Sequence, residues 1–254
     1  MRHDMGKLYR TELHCHTRTV SPCANADPEY LIEDYKKHGY DTIVVTDHFK
    51  THALHESAYL DAVHEGRFVP DGFDRSIFTR SRMGTMTWDD IVSFFVSGAQ
   101  YLRQIAPPEM TILQSAELCM PGAGNDYLLY GITEEFLRAH PGLDRITNLI
   151  TLHNLLSANG ILLIEAHPFR NGMAVMDPSL VDGIEVYNGA KNHNSRNEVA
   201  EFWADHYSLI KTSGTDYHDP CHTPDAGILT EEKITSVSQL VRILKSGEYD
   251  LIRE

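Results

Sequence analysis

The sequence predicts an α/β protein whose strands close into a barrel. Apolar, β-branched runs alternate with amphipathic helical segments along most of the 254 residues, which indicates a mainly parallel sheet covered by helices. A closed barrel fits this length better than an open, doubly wound sheet. No Gly-x-Gly-x-x-Gly segment follows any predicted strand, so a dinucleotide-binding fold lacks its main signature.

The strands are predicted from short apolar runs. The run TIVVTD at 42–47 is typical, because β-branched residues favour a buried strand. In chain order the predicted strands are residues 8–15, 42–47, 110–118, 127–132, 161–167, 183–188 and 209–216.

The helices are predicted from capping and stop signals. Asp27 before Pro28 marks a helix start, and Gly39 marks its stop. Thr87 opens the segment that continues as a helix over 91–105. Further helices are predicted after Thr133 and at residues 146–158, 194–207 and 236–247.

Residues 50–109 interrupt the alternation of strands and helices. We predict that this stretch is an insertion or lid within one domain spanning 1–254, because it holds a single apolar helix and a separate domain needs its own core. Loops at a catalytic face commonly determine which substrate an enzyme accepts.

The composition excludes several classes of partner. With 22 Lys and Arg against 36 Asp and Glu, the net charge is −14, which disfavours binding to nucleic acid or to an anionic membrane surface. No run approaches the roughly 18 apolar residues of a membrane span, and the N-terminus lacks a signal-peptide pattern. The four cysteines form no CxxC pair, so a cytoplasmic location is expected. The sequence does not indicate the oligomeric state.

Side chains that can bind metal follow the carboxyl end of nearly every predicted strand. In an α/β barrel these ends converge on one face, where active sites are built. A set of His, Asp and Glu without clustered Cys favours a catalytic Zn, Mn or Fe centre, and a carboxylate such as Glu117 can bridge two ions. The candidates in chain order are His14, His16, Asp47, His48, Glu117, Asp126, His167, Asn188, Asp216 and His218.

The order of these motifs resembles the polymerase and histidinol phosphatase (PHP) family of phosphoesterases. The resemblance extends from residue 8 to about 218, apart from 50–109, and implies a distorted (β/α)7 barrel that binds two or three divalent ions and hydrolyses phosphate esters. The matching segments are ELHCHT at 12–17, VVTDHF at 44–49, AE at 116–117, EAHPFR at 165–170 and SGTDYH at 213–218.

The resemblance also implies which residue binds which ion. His14 and His16 bind the first ion with Glu117 and Asp216. Glu117 bridges to a second ion that His167 also holds, and His48 and His218 hold a third.

Two positions depart from the family pattern. Where relatives carry a His or Asp in the loop after the first motif, this chain offers Cys23 or Asp27. Where many relatives place a His on the fourth strand, this chain has Asn125 and Asp126, of which Asp126 is the better ligand and is included in the predicted metal set.

The implied reaction is attack of a metal-activated water on phosphorus. His48, His218 or a bound water protonates the leaving group. Arg18 and Arg170 are predicted to bind the phosphate from the rim, although both equally fit solvated loop residues.

Other polar residues are expected to have supporting roles. Asp47 is expected to orient His48 or a neighbour rather than to bind metal directly. Lys191, His193 and Arg196 follow the sixth strand and are further candidates for the site.

The predicted function is a metal-dependent hydrolysis of small phosphomonoesters, of which histidinol phosphate is one possible substrate. One alternative is an amidohydrolase-like enzyme acting on a non-phosphate substrate, but no strand presents an obvious lysine for carboxylation, and Lys211 lies early in the seventh. The other alternative is a non-catalytic barrel that binds metal for stability or for a partner.

Overall fold

The computed structural model describes residues 7–49, 68–122 and 124–254. Within these ranges the strands are β1 (Tyr9–Cys15), β2 (Tyr40–Val45), β3 (Thr111–Gln114), β4 (Glu117–Cys119), β5 (Asp126–Tyr130), β6 (Leu162–Glu165), β7 (Gly183–Asn188), β8 (Ile210–Gly214), β9 (Ala226–Thr230) and β10 (Asp250–Arg253). The α-helices of the same ranges are α1 (Pro28–Lys37), α2 (Ser76–Arg82), α3 (Trp88–Ile105), α4 (Glu134–Ala139), α5 (Leu149–Ala158), α6 (Asn197–Tyr207) and α7 (Val237–Ser246).

The strands form two five-stranded sheets, in the orders β10-β9-β1-β2-β3 and β4-β5-β6-β7-β8. The β1–β2, β2–β3, β6–β7 and β7–β8 pairs are parallel, whereas β4–β5, β5–β6, β1–β9 and β9–β10 are antiparallel. The predicted α/β class is therefore confirmed. The predicted closed barrel is not seen in the described residues, where isolated bridges rather than continuous ladders join the two sheets.

The separation of the sheets arises within the predicted strand 110–118. Its first half, β3, extends the parallel ladder of β2, whereas its second half, β4, pairs antiparallel with β5. Between them Ser115 N donates to Val45 O at 2.7 Å, and Ala116 O accepts from Leu129 N at 2.9 Å. The chain thus gains β5 as a hydrogen-bonding partner at these two residues, and its contact with the β2 side is reduced to an isolated bridge, so one apolar run becomes two strands in different sheets.

Two short seams nevertheless join the sheets. At the first, Tyr217 N donates to His14 O at 3.2 Å and Tyr217 O accepts from His16 N at 3.1 Å. At the second, Glu117 N donates to Asp47 O at 3.0 Å and Glu117 O accepts from Phe49 N at 2.8 Å. Each seam contains a single isolated bridge, Cys15 to Tyr217 and His48 to Glu117. Both seams lie within the motifs that the sequence singles out.

Helix α3 belongs to the layer that covers the strands. Thr87 and Asp90 form a reciprocal capping box at its start, as the predicted helix start requires. The helix packs on β3, α1 and α4, and it buries Phe94 and Phe95 in the main apolar core. The prediction of an insertion or lid at 50–109 falls partly on residues 50–67, which lie outside the described residues, and it stays a prediction.

Most helix boundaries follow the predicted signals. Pro28 occupies the first turn of α1, and Thr133 caps α4 by accepting a hydrogen bond from Phe136 N. Helix α5 begins at Leu149 rather than 146, because Asn148 caps it. In the part of the chain that the structure describes, no helix has the length and apolar character needed to cross a bilayer.

Candidate metal centre

A cleft of about 350 Å³ opens where the two seams meet. His14 and His16 are fully buried beneath it. Both contact the acidic groups of its lining. The lining comprises Cys23, Asn25, His48, Glu117, Asp126, His167, Arg170, Asn192, His193, Asp216, His218, Asp219 and His222. The structure thus brings together the predicted metal set, which is His14, His16, His48, Glu117, Asp126, His167, Asp216 and His218.

The carboxylate of Glu117 lies at the centre of the cluster. Its Oε1 atom is 3.5 Å from His14 Nε2 and 3.3 Å from His167 Nε2. Its Oε2 atom is 3.4 Å from His16 Nε2 and 2.8 Å from His48 Nδ1. One buried carboxylate therefore faces imidazoles from four separate positions of the chain, as a bridging ligand would.

Asp216 contacts the same cluster from the end of β8. Its Oδ1 atom lies 3.3 Å from His14 Nε2 and 3.4 Å from His16 Nε2. The same oxygen is 3.2 Å from His218 Nδ1, and Oδ2 is 3.5 Å from His193 Nε2. His193 is thus placed in the site, as its position after the sixth predicted strand allows.

The donor set fits divalent cations. His48 Nδ1 lies 2.8 Å from Glu117 Oε2, yet among the described residues it has no aligned hydrogen-bond partner. Glu117 Oε1 likewise has none. Buried polar atoms without partners are costly, so these atoms point to a shared third partner. The groups whose donor atoms lie within 4.8 Å of one another are His16–His48–His218, His14–His16–Glu117, His14–His167–Asp216 and Glu117–Asp126–His167.

The charges of the cluster compensate one another. Burial opposes protonation of His14, but the carboxylates of Asp216, Glu185 and Glu117 raise its pKa well above the ordinary value. Burial opposes ionisation of Glu117, but His48 and His14 hold the pKa of this carboxyl well below its usual range. Protons on the imidazoles therefore balance the carboxylates here, and a bound cation would replace those protons.

Two candidate ligands have backbones in the left-handed region. His167 has φ 30° and Asp216 has φ 53°, which non-glycine residues rarely adopt and which is common at functional sites. Each lies two residues beyond the end of a strand, where the turn directs the side chain into the cleft. Gly214 permits the close approach of β8 to β1, since a Cβ atom there would lie 2.3 Å from His14 Cβ.

Two buried carboxylates that the sequence analysis did not select support the ligands. Glu185 Oε1 is 2.9 Å from His14 Nδ1, and Glu185 Oε2 accepts from His167 N at 3.0 Å. Glu12 Oε1 accepts from His14 N at 2.8 Å and from Thr215 N at 2.9 Å. In the sequence, each of the two is the only acidic residue of its strand, β1 for Glu12 and β7 for Glu185.

Asp47 acts on the site through a serine. Its Oδ1 atom accepts hydrogen bonds from Thr17 N and Ser21 Oγ, both at 2.7 Å. Ser21 Oγ in turn accepts from His48 N at 3.0 Å and lies 3.3 Å from His16 Nδ1. Asp47 thus positions Ser21, which contacts the ring of His16 and the main chain of His48.

The two predicted phosphate-binding arginines have different surroundings. Arg170 lines the cleft, with Nη2 3.2 Å from Asp126 Oδ2. Arg18 is directed instead to Asp27, with which it forms a close ion pair, and lies over the ring of Phe68. The structure therefore places Arg170 in the cleft, and the sequence could not show that Asp27 engages Arg18.

The positions that depart from the family pattern also differ from one another. Asp126 faces the cleft, whereas Asn125 points away from it and donates to Glu165 Oε1 at 2.5 Å. Cys23 lines the cleft. Of the remaining candidates, Lys191 pairs with Asp225 at 2.7 Å and Arg196 donates to Phe169 O at 2.6 Å, so neither is directed at the ligand cluster.

Comparison with known proteins supports the fold. No model of a protein family matches the chain, and no curated protein matches it. Its structure is similar to that of PsfC from Pseudomonas syringae, with a TM-score of 0.62 at 16% identity over 98% of this chain and 92% of that one.

Two further solved structures share the fold. A two-domain protein from Bacteroides vulgatus that contains a predicted PHP-like metal-dependent phosphoesterase has a TM-score of 0.58 at 14% identity, over 99% of this chain and 66% of that one. The lesion-specific endonuclease EndoQ from Pyrococcus furiosus has a TM-score of 0.58 at 13% identity, over 96% of this chain and 58% of that one.

Helix α3 packs directly behind the ligand cluster at Gly98. A Cβ atom at this position would lie 2.4 Å from Thr17 Oγ1 and 2.6 Å from Asp47 Oδ2. These two atoms form a 2.7 Å hydrogen bond with each other. The absence of a side chain at Gly98 therefore allows the Asp47 contacts that position the cleft.

We predict that Gly98→Ala weakens both the fold and the site. The added methyl group overpacks the Thr17–Asp47 contact, so the free energy of unfolding falls by about 1–3 kcal/mol, and the purified protein retains less metal. Chemical denaturation and elemental analysis measure the two effects. Gln100→Ala, at a half-buried position of the same helix, is the matched control. Unchanged stability and metal content in Gly98→Ala would show that the close packing is not required.

Proposed function

We propose that this chain is a metal-dependent phosphoesterase that hydrolyses small phosphomonoesters. The observation that carries the proposal is the position of Glu117, whose two oxygens each face two imidazoles. A carboxylate shared in this way is the arrangement that a bridged pair of metal ions requires. The order of the motifs and the fold shared with a PHP-like protein support the same proposal.

The residues of the cleft account for the other requirements of the reaction. Two or three divalent ions, of Zn, Mn or Fe, would supply an activated water and neutralise charge on the phosphoryl oxygens. Arg170 offers a guanidinium that binds phosphate in a fork geometry. His48, His218 or a bound water supplies the proton to the leaving oxygen. Glu185 holds the His14 ring in orientation through Nδ1.

The size and charge of the molecule favour a small substrate. A cleft of about 350 Å³ lies near the lower end of the range for small-molecule sites. A net charge of −14 disfavours nucleic acid, because binding along a phosphate backbone needs a basic surface. The partner that we propose is therefore a small phosphorylated molecule.

An amidohydrolase-like mechanism with a carboxylated lysine is disfavoured by the position of Lys211. Lys211 lies near the start of β8, whereas Asp216 follows the end of that strand. Its Nζ atom is 2.5 Å from Asp205 and 3.7 Å from Glu201. This lysine is therefore paired at the far end of the strand from the ligand cluster.

We predict that Glu117→Gln and Asp216→Asn abolish hydrolysis. Either change removes a charge that offsets the cations, so metal content and the rate of phosphate release both fall, the rate by roughly 100-fold or more. The measurement combines elemental analysis with phosphate release from a panel of phosphomonoesters and cyclic diesters, with and without EDTA.

Glu165→Gln is the matched control for this prediction. Glu165 is also a buried strand carboxylate, but it accepts from Asn125 and lies outside the cleft lining. Burial raises the pKa of Glu165 to about 7, so a neutral amide is tolerated there and activity is retained. Full metal content in the wild-type protein without turnover of any ester would contradict the proposed function.

We predict that Arg170→Gln raises KM for a phosphomonoester about tenfold or more, because a charge-assisted contact with phosphate contributes about 1.5–3 kcal/mol. Arg18→Gln should have a much smaller effect, since Arg18 pairs with Asp27. Steady-state kinetics on the two variants gives the comparison. The reverse order of effects would assign phosphate binding to Arg18.

A further inference from the structure

The third ion has fewer implied protein ligands than the first ion. The resemblance assigns it only His48 and His218, since His16, whose Nε2 lies 3.4 Å from Glu117 and from Asp216, is assigned to the first ion. His218 Nδ1 is 2.9 Å from Asp216 O, so its Nε2 atom remains available to a cation. Two imidazoles alone fall short of the three protein ligands that a catalytic zinc position usually has.

Cys23 occupies the position beside these two rings. Its thiol interacts with both His218 and His48, and it lines the same cleft. The nitrogen donors of His16, His48 and His218 also lie within 4.8 Å of one another. The thiol of Cys23 therefore lies beside the two rings that would hold the third ion.

We propose that Cys23 is a thiolate ligand of the third divalent ion, which it holds together with His48 and His218. This inference rests on the metal centre of the proposed function but names a ligand that the family pattern does not supply. Three protein ligands with an open fourth position are typical of catalytic zinc, and thiolates and imidazoles are both zinc ligands. A soft thiolate favours Zn²⁺ over Mn²⁺ and Mg²⁺, so Cys23 makes this position selective for zinc.

The position of a second thiol makes the proposal specific. Cys119 interacts with Asp126, which is itself a candidate ligand in the group with Glu117 and His167. Cys221 is exposed and hydrogen-bonded to Asp219. The two cysteines therefore provide a competing ligand and a surface control in the same chain.

The first test is the absorption spectrum of the full-length protein loaded with Co²⁺ in place of its native metal. A thiolate bound to Co²⁺ gives a charge-transfer band in the near ultraviolet, which His and carboxylate ligands do not give. We expect this band in the wild-type protein, in Cys119→Ser and in Cys221→Ser, and its loss in Cys23→Ser together with a fall in bound metal. Retention of the band in Cys23→Ser, or its absence from the wild-type protein with Co²⁺ bound, would overturn the proposal.

A second test needs no variant. Alkylation of each cysteine is followed by mass spectrometry with and without Zn²⁺. Zinc should slow the alkylation of Cys23 roughly tenfold or more, because a metal-bound thiolate is a poor nucleophile, and should leave Cys221 unaffected. Equal rates at Cys23 with and without zinc would contradict the proposal.

The two claims can fail separately. A charge-transfer band that depends on Cys23, in a protein that releases phosphate from no ester, would refute the proposed function and support the thiolate ligand. Turnover of phosphate esters by a protein that lacks the band would support the proposed function and refute the thiolate ligand.

Discussion

The candidate metal centre depends on two backbone bridges between otherwise separate sheets. The main chain of Glu117 is hydrogen-bonded on both sides to the segment that carries Asp47 and His48, and the main chain of Tyr217 is bonded to His14 and His16. The ligands are therefore positioned by main-chain hydrogen bonds at strand ends rather than by mobile loops, and a site built on such elements is held more rigidly. The second bridge keeps the register of the β2–β3 pair, since Val45 pairs with Gln114 and His48 with Glu117, so Glu117 is held between the extension of β2 and strand β5.

Buried charge is the second constraint on the centre. Glu12, Glu117, Glu185 and Asp216 are all buried, which would be prohibitive without compensation. Backbone N–H groups stabilise Glu12, and imidazoles surround Glu117 and Asp216. The chain carries a net charge of −14, yet its cleft presents imidazoles and Arg170, so it can accept an anion once cations are bound.

The sequence predicted the convergence of the candidate ligands better than it predicted the sheet. His14, His16, His48, His167 and Asp216 were recognisable because strand ends converge, and this holds whether or not the barrel closes. The antiparallel pairing of β5, β9 and β10 was not predicted, since short apolar runs do not specify their partner or direction. The pairing of Arg18 with Asp27 was missed for a similar reason, because both residues are polar loop positions whose contacts depend on the folded chain.

The central claim is that Glu117 bridges divalent ions at the junction of the two sheets. The most direct measurement is an anomalous diffraction map of the crystallised protein, collected at the absorption edge of the metal that elemental analysis identifies. The account predicts one ion at about 2.0–2.2 Å from a Glu117 oxygen and bound by His14, His16 and Asp216, and a second ion bound by Glu117 and His167. Strong anomalous peaks that lie away from Glu117, or a fully metal-loaded protein in which Glu117 contacts no ion, would contradict it.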